Sequence, residues 1–114
     1  MSDQFKITLA QLNATVGDLN GNAEKVMTAW EKARDDRSNL IAFPELFITG
    51  YNPQDLILKP AFQKASADTI KKIAEACSRG PAIAVGVPFC DQESLYIAYY
   101  ILFEGKIQAV IKKH

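Results

Sequence analysis

The order of hydrophobic and polar positions predicts strands separated by helices. Apolar and polar residues alternate over residues 5–9, at the start of a segment, 5–13, that predicts a first strand. The runs at residues 40–43 and 82–88 are short, apolar and bounded by turn-forming residues. Such runs are typical of buried parallel strands. We therefore expect a sheet whose parallel strands are linked by helices.

Two segments space their apolar residues as amphipathic helices do. The first covers residues 22–35, and its predicted buried stripe consists of Ala23, Val26, Met27, Trp30 and Ala33. The second begins near Phe62 and ends at Gly80 and Pro81. Cys77 falls on its buried stripe and is predicted to be a small core residue. The order of elements predicts an α/β fold with both helices on one face of the sheet, so that the other face needs cover.

The end of the chain predicts a β-hairpin. Residues 95–103 and 107–111 form two apolar segments around a tight turn, and Lys112 and Lys113 follow the second segment. Between Pro53 and Pro60 at most a short helical turn is expected, at residues 55–58.

Glu45 is the first side chain after a strand that Pro44 must end, because proline lacks the N–H that would continue the ladder. The neighbouring residues Phe43 and Leu46 are apolar. Ligands of open α/β sheets bind at the carboxyl ends of strands. An apolar pocket raises the pKa of a carboxyl group toward the range that a general base needs. Glu45 is thus a candidate base. The competing interpretation is a surface carboxylate that caps a turn.

Length, composition and charge limit the classes of function that the chain can have. A chain of 114 residues, 48% hydrophobic and 23% charged, is predicted to form one globular domain at most. Thirteen basic and thirteen acidic residues give zero net charge, so no electrostatic case exists for nucleic acid or a membrane surface. No apolar run is long enough for a spanning helix, and residues 1–5 do not resemble a signal peptide. We expect a cytoplasmic protein.

Cysteine and histidine usage argues against a metal site or a disulfide scaffold. Cys77 and Cys90 have no metal-ligand spacing, and His114 is the single histidine. Cys90 follows a predicted strand, but no histidine, lysine or arginine lies near it in sequence to lower its pKa. Neither cysteine is therefore interpreted as a nucleophile.

Three segments together resemble one enzyme family. They are FPELFITGY at residues 43–51 with its continuation NPQDLILKPAF, QLNATVGDLNGN at 11–22, and GVPFCDQESLYIAYYILFEGKI at 86–107. The first resembles the glutamate motif of the nitrilase, or carbon-nitrogen hydrolase, superfamily, whose members hydrolyse amides and nitriles with a Glu, a Lys and a Cys. The resemblance implies an αββα sandwich in which residues 1–114 form the N-terminal portion of the domain.

The resemblance also implies roles for particular residues. Glu45 would be the general base. Counting from Gly105 places the oxyanion-stabilising lysine at Lys113, with Lys112 in a position that is usually Arg-like. Tyr51 could orient Glu45 or a substrate group through its hydroxyl. The nucleophilic cysteine would lie beyond the segment given, so this segment alone is expected to be inactive. Ile97 departs from the family pattern, because many relatives carry an Asn there.

The longer segment GYNPQDLILKPAF is similar to one branch of this superfamily, the glutaminase domains of NAD+-forming synthetases. That resemblance implies glutamine as substrate and ammonia passed to a synthetase domain of the same chain. ATP and Mg²⁺ would serve that domain in converting deamido-NAD+ to NAD+, with no cofactor in residues 1–114, and a homo-oligomer is expected. Two alternatives stay open: a stand-alone amidase or carbamoyl-amide hydrolase of the superfamily, and a non-catalytic α/β module.

Overall fold

The computed structural model describes residues 4–50, 59–91 and 94–113. Its seven elements are β1 (Ile7–Leu9), α1 (Leu19–Asp35), β2 (Leu40–Ala42), α2 (Pro60–Ala76), β3 (Ala82–Asp91), β4 (Ser94–Phe103) and β5 (Lys106–Lys113). The strands form one sheet in the order β1-β2-β3-β4-β5. The predicted α/β fold is confirmed.

The sheet has a parallel half and an antiparallel half. β1, β2 and β3 are parallel neighbours, and α1 and α2 lie in the connections between them. β3, β4 and β5 are antiparallel neighbours. It follows that β1, β2, β3 and β5 all run in one direction and end toward the same edge of the sheet.

Both helices cover one face of the sheet, as the element order predicts. The helix stripes and the sheet residues Ile41, Ile83 and Val85 belong to one hydrophobic core. Trp30 is buried in it, and its indole Nε1 donates a hydrogen bond to the carbonyl oxygen of Pro81 at 2.8 Å. A buried indole N–H needs such a partner, so this bond accompanies the packing of α1 on the loop before β3.

α1 begins at Leu19, earlier than the predicted residue 22, because Asp18 caps it. The Asp18 carboxylate accepts a hydrogen bond from the backbone N–H of Gly21 at 3.0 Å. A side chain that satisfies an otherwise unpaired N–H stabilises a helix start. As a result Asn22 lies inside the first turns of α1, where it is fully buried.

β3 and the two strands of the hairpin, β4 and β5, are longer than predicted. β3 continues past residue 88 to Asp91, because β4 pairs with it from Ile83 as far as Asp91, which is opposite Ser94. The turn between β4 and β5 has positive φ at Glu104 and Gly105, 53° and 79°. Two left-handed residues in succession match the twist of a two-residue hairpin. The pairing of β4 with β5 shifts register next to Ile101, where β5 has one extra residue.

The face of the sheet away from the helices exposes large apolar side chains. Leu9 is 71% exposed, Ile7 50% and Ile111 57%. Leu9 lies in β1 and Ile111 in β5, the two outermost strands of the sheet. This open face is the one that the element order predicts to need cover.

None of the helices within residues 4–50, 59–91 and 94–113 combines the length and apolar character that a membrane span requires.

Candidate active site

The candidate site lies at the edge where β2 ends. Beyond Ala42 the ladder continues for one more bond, from the backbone N–H of Phe43 to the carbonyl oxygen of Ala84 at 3.0 Å. Pro44 has no N–H to donate, so the chain leaves the sheet there and turns. Glu45 is the first residue of that turn.

Local hydrogen bonds fold the segment after Pro44 into a compact turn. The N–H of Phe47 donates to the carbonyl oxygen of Pro44 at 3.1 Å, and the N–H of Gly50 donates to that of Leu46 at 2.7 Å. Phe47 and Ile48 are buried, whereas Glu45 is half-buried. The Phe43 and Phe47 rings pack with centroids 5.3 Å apart. The turn thus fixes its apolar residues in the core and places Glu45 at the rim.

The backbone of Glu45 lies directly against β3 at Gly86. A Cβ atom at Gly86 would overlap the carbonyl oxygen of Glu45 and would come within 3.3 Å of its carbonyl carbon and 3.5 Å of its Cα. Because only glycine leaves this space, Gly86 permits the close approach. The Glu45 turn therefore rests on the sheet face to which position 86 belongs.

The pairing of β3 with β4 and of β4 with β5 relates the position of Gly86 to the end of β5. Gly86 is opposite Tyr99, which is opposite Ile111. Further toward the edge, Ile97 is opposite Lys113. Since alternate positions of a strand share a face, position 113 belongs to the same face as positions 111 and 86. The structure therefore brings the backbone positions of Glu45 and Lys113 to one edge and one face of the sheet.

Lys112 belongs to the opposite, helix-covered face. Its partner across the ladder is Ala98. Its Nζ lies over the Tyr96 ring, 5.4 Å from the centroid. Burial raises the pKa of the nearby Tyr100 hydroxyl, and the positive charge of Lys112 partly offsets that effect. The two successive lysines thus belong to different faces, and only Lys113 shares the face of the Glu45 turn.

The other residues considered in the sequence analysis are Tyr51, Cys77 and Cys90. Tyr51 lies outside the described residues, so its predicted role stays a prediction. Cys77 is buried in the core, and burial, with the negative charge of Glu31, raises the pKa of its thiol to about 11. A thiol that holds its proton in this way is a poor nucleophile, which agrees with its predicted packing role. Cys90 lies within β3 and not after it, opposite Leu95.

One buried polar residue had no role in the sequence analysis. Asn22 is fully buried, and its carboxamide joins the loop before α1 to the turn that carries Glu45. In the sequence, Asn22 comes directly before the apolar stripe of α1. Asparagine is common at the start of a helix, so its presence there was explained without any further role. Its partners lie in separate segments, so spacing along the chain does not reveal them.

Over the part of the chain that the structure describes, no group of three or more His, Cys, Asp and Glu side chains is arranged to hold a metal ion.

Comparison with known proteins gives concordant matches. The chain is 46% identical over all 114 residues to the glutamine-dependent NAD(+) synthetase of Rhodobacter capsulatus, of which it covers 21%. Its fold matches the crystal structure of a glutamine-dependent NAD(+) synthetase from Cytophaga hutchinsonii, with a TM-score of 0.88 and 24% identity over 96% of this chain and 19% of that one. An amidase from Nesterenkonia sp. shares the fold at a TM-score of 0.76 and 22% identity, over 96% of this chain and 42% of the amidase.

This chain thus spans about a fifth of the length of the synthetases that it matches. The family model described as carbon-nitrogen hydrolase matches residues 6–114. That match includes the Glu45 turn, the sheet and the lysines of β5. The chain therefore belongs to the carbon-nitrogen hydrolase family.

Proposed function

We propose that this chain is part of the glutaminase domain of a longer polypeptide, which hydrolyses the side-chain amide of glutamine and uses the ammonia to convert deamido-NAD+ to NAD+. The observation that carries the proposal is the 46% identity, over the whole chain, to a glutamine-dependent NAD(+) synthetase. A stand-alone amidase of the family has weaker support, because the similarity to an amidase is one of fold, at 22% identity.

In the proposed reaction Glu45 acts twice as a general base. It first accepts the proton of a cysteine thiol supplied by the rest of the polypeptide, and the thiolate attacks the amide carbon of glutamine. The proton then passes to the amide nitrogen, which leaves as ammonia, and a thioester remains. Glu45 next takes a proton from water, which hydrolyses the thioester to glutamate and restores the thiol. Glu45 is half-buried at the rim of the sheet, a position from which its carboxylate could serve both steps.

Lys113 is proposed to stabilise the oxyanion of the tetrahedral intermediate. A positive charge held beside an apolar sheet stabilises developing negative charge far better than one in water. The backbones at Gly86, which packs against the Glu45 turn, and at Lys113 lie two strand spacings and two residues apart, or about 12 Å. A substrate amide would lie between these two positions. Tyr51, whose hydroxyl could orient Glu45 or the substrate, is proposed as a third member.

The cofactors and partners proposed for the longer polypeptide follow from the same identity. A synthetase domain of the same polypeptide would receive the ammonia and would use ATP and Mg²⁺. We also propose a homo-oligomer that acts in the cytoplasm.

The proposal is tested with the full-length protein encoded by the gene that contains this segment. NAD+ formation from deamido-NAD+ and ATP is measured with glutamine and, separately, with ammonium as the nitrogen source. The proposal expects product from both sources and one glutamate released for each NAD+ formed from glutamine. Glutamine hydrolysis without NAD+ formation from either source would favour the amidase, and absence of both activities would contradict the proposal.

A further inference from the structure

We infer that Asn22 and Gly86 are positioning residues that hold the Glu45 turn between them and so fix where the general base lies. The inference rests on the proposed function, because it concerns the base of the proposed glutaminase reaction. Neither residue is expected to touch the substrate. Asn22 acts through hydrogen bonds to the turn, and Gly86 acts through the space that it leaves free.

The carboxamide of Asn22 is saturated with hydrogen bonds. Its Nδ2 donates to the carbonyl oxygens of Thr15 and Ile48 at 2.8 and 2.9 Å, and its Oδ1 accepts from the N–H of Thr15 at 2.8 Å. Burying an amide is costly unless its polar atoms are paired, and here both amide hydrogens and the oxygen have partners. Such a residue is not chosen for the helix, since asparagine is a poor helix former. Its bonds instead link three segments of backbone.

One of those segments is the Glu45 turn. Ile48 lies in the same turn as Glu45, and a second bond ties the next residue, from the N–H of Gly17 to the carbonyl oxygen of Thr49 at 2.9 Å. The α1 side of the turn is thus held by the buried amide of Asn22 and by the loop before α1. On the sheet side, the carbonyl group of Glu45 rests against Gly86.

The two contacts act on Glu45 from different directions. Replacement of Asn22 releases the carbonyl oxygen of Ile48 and lets the turn move away from α1. Replacement of Gly86 by alanine places a methyl group where the Glu45 carbonyl oxygen lies and pushes the turn off the sheet. In both cases the carboxyl group remains, but its distance from the thiol and the substrate changes. Misplacement of a catalytic group by about 1 Å can lower the rate about 100-fold.

The test uses Asn22→Asp and Gly86→Ala in the full-length protein. Aspartate keeps the size of asparagine and one acceptor for the Thr15 N–H, but it removes the donors to Thr15 and Ile48. Asn20→Asp is the matched control, because Asn20 is exposed in the first turn of the same helix. Folded glutaminase sites are counted by labelling to completion with a cysteine-reactive diazoketone analogue of glutamine, so that a slower reaction of the thiol does not lower the count.

For both variants we expect kcat per labelled site with glutamine to fall on the order of 10-fold to 100-fold. The KM for glutamine and the ammonium-dependent formation of NAD+ should stay close to wild type, as should every parameter of Asn20→Asp. A residue that only stabilised the fold would lower the number of labelled sites and leave kcat per site unchanged. That result in either variant would overturn the inference for the residue concerned.

If Asn22→Asp does not yield folded protein, Gly86→Ala decides whether the turn is positioned by its contacts. Wild-type kcat per site in Gly86→Ala would then overturn the inference. Failure of the underlying function is recognised separately, because the wild-type protein would then form no NAD+ from glutamine.

Discussion

The backbone of Glu45 packs against Gly86, and the residue is half-buried at the rim of the sheet. A structural turn residue needs only the first property, because the hydrogen bonds of the turn are made by backbone groups of Pro44, Leu46 and their partners. Stability and catalysis therefore make different demands on this position. A substitution that alters the carboxyl group without altering its shape separates them.

Glu45→Gln in the full-length protein is that substitution. Glutamine keeps the shape and can form hydrogen bonds, but it cannot accept a proton, so glutamine-dependent kcat is expected to fall on the order of 10²–10⁴-fold. Ammonium-dependent NAD+ formation should be retained, since it bypasses the glutaminase. Glu24→Gln, at an exposed position of α1, is the matched control. Should Glu45 be only a turn residue, both activities survive and stability changes by about 0.5 kcal/mol.

Cys77 gives a second prediction at this scale. Its folded-state pKa of about 11 lies above the ordinary value of 9.0, so the folded protein resists forming the thiolate. The contribution of Cys77 to stability is complete below pH 9 and is lost as the pH rises toward 11, because the unfolded thiol ionises first. Denaturation of the wild type at pH 8 and pH 10.5, compared with Cys77→Ala, measures this loss. An equal loss in both proteins would assign the pH dependence to other groups.

At the scale of elements, two glycines with nearly the same positive φ have different surroundings. Gly50 and Gly105 have φ of +80° and +79°. A Cβ at Gly50 would lie 2.6 Å from the Cα and 2.8 Å from the backbone N of Val16, whereas at Gly105 the nearest atom is 3.4 Å away. Both positions require a left-handed residue, but only Gly50 also requires the absence of a side chain.

Alanine at the two positions should therefore have unequal costs. Gly105→Ala is expected to lower the free energy of unfolding by about 1 kcal/mol, the cost of a left-handed alanine. Gly50→Ala adds a backbone overlap and should cost at least about 1–3 kcal/mol more. Thermal unfolding of both variants checks the difference. Equal melting temperatures would mean that the loop before α1 moves aside freely and does not brace the Glu45 turn.

The elements that periodicity specifies were predictable from sequence, and those set by tertiary partners were not. The stripe through Trp30 and the burial of Cys77 follow from helical spacing. The length of β3 was wrong by three residues, because its end is set by pairing with β4. The role of Asn22 depends on a carbonyl group of Ile48, and the fit of Glu45 depends on Gly86. No local pattern encodes such contacts between distant segments.

At the scale of the whole molecule, the isolated 114-residue chain is expected to have no glutaminase turnover. A thioester mechanism requires a thiolate, and the buried Cys77 holds its proton. Ammonia release from glutamine by the purified segment is the measurement, with Cys90→Ala as the control for a thiol in β3. Turnover that is lost in Cys90→Ala would place the nucleophile in this chain and would contradict the proposed mechanism.

The open face of the sheet leads to the last prediction. Leu9, Ile7 and Ile111 expose much of their surface there, at a cost of about 25 cal/mol for each Å² of apolar area left in water. The αββα sandwich implied by the family resemblance would bury this face against a second sheet contributed by the longer polypeptide. The isolated segment should then bind a hydrophobic dye and self-associate, and the full-length protein should do neither.

Leu9→Lys distinguishes a covered face from a free one. In the isolated segment a lysine at this position should reduce dye binding and association, because it interrupts the apolar surface. In the full-length protein the same change would place an unpaired ammonium between two sheets, where it should lower stability by about 3 kcal/mol or more. Thr28→Lys, which adds a lysine to an exposed position of α1, should have little effect in either protein. Equal melting temperatures of full-length Leu9→Lys and wild type would mean that this face stays in water, and the two-sheet arrangement would have to be abandoned for this chain.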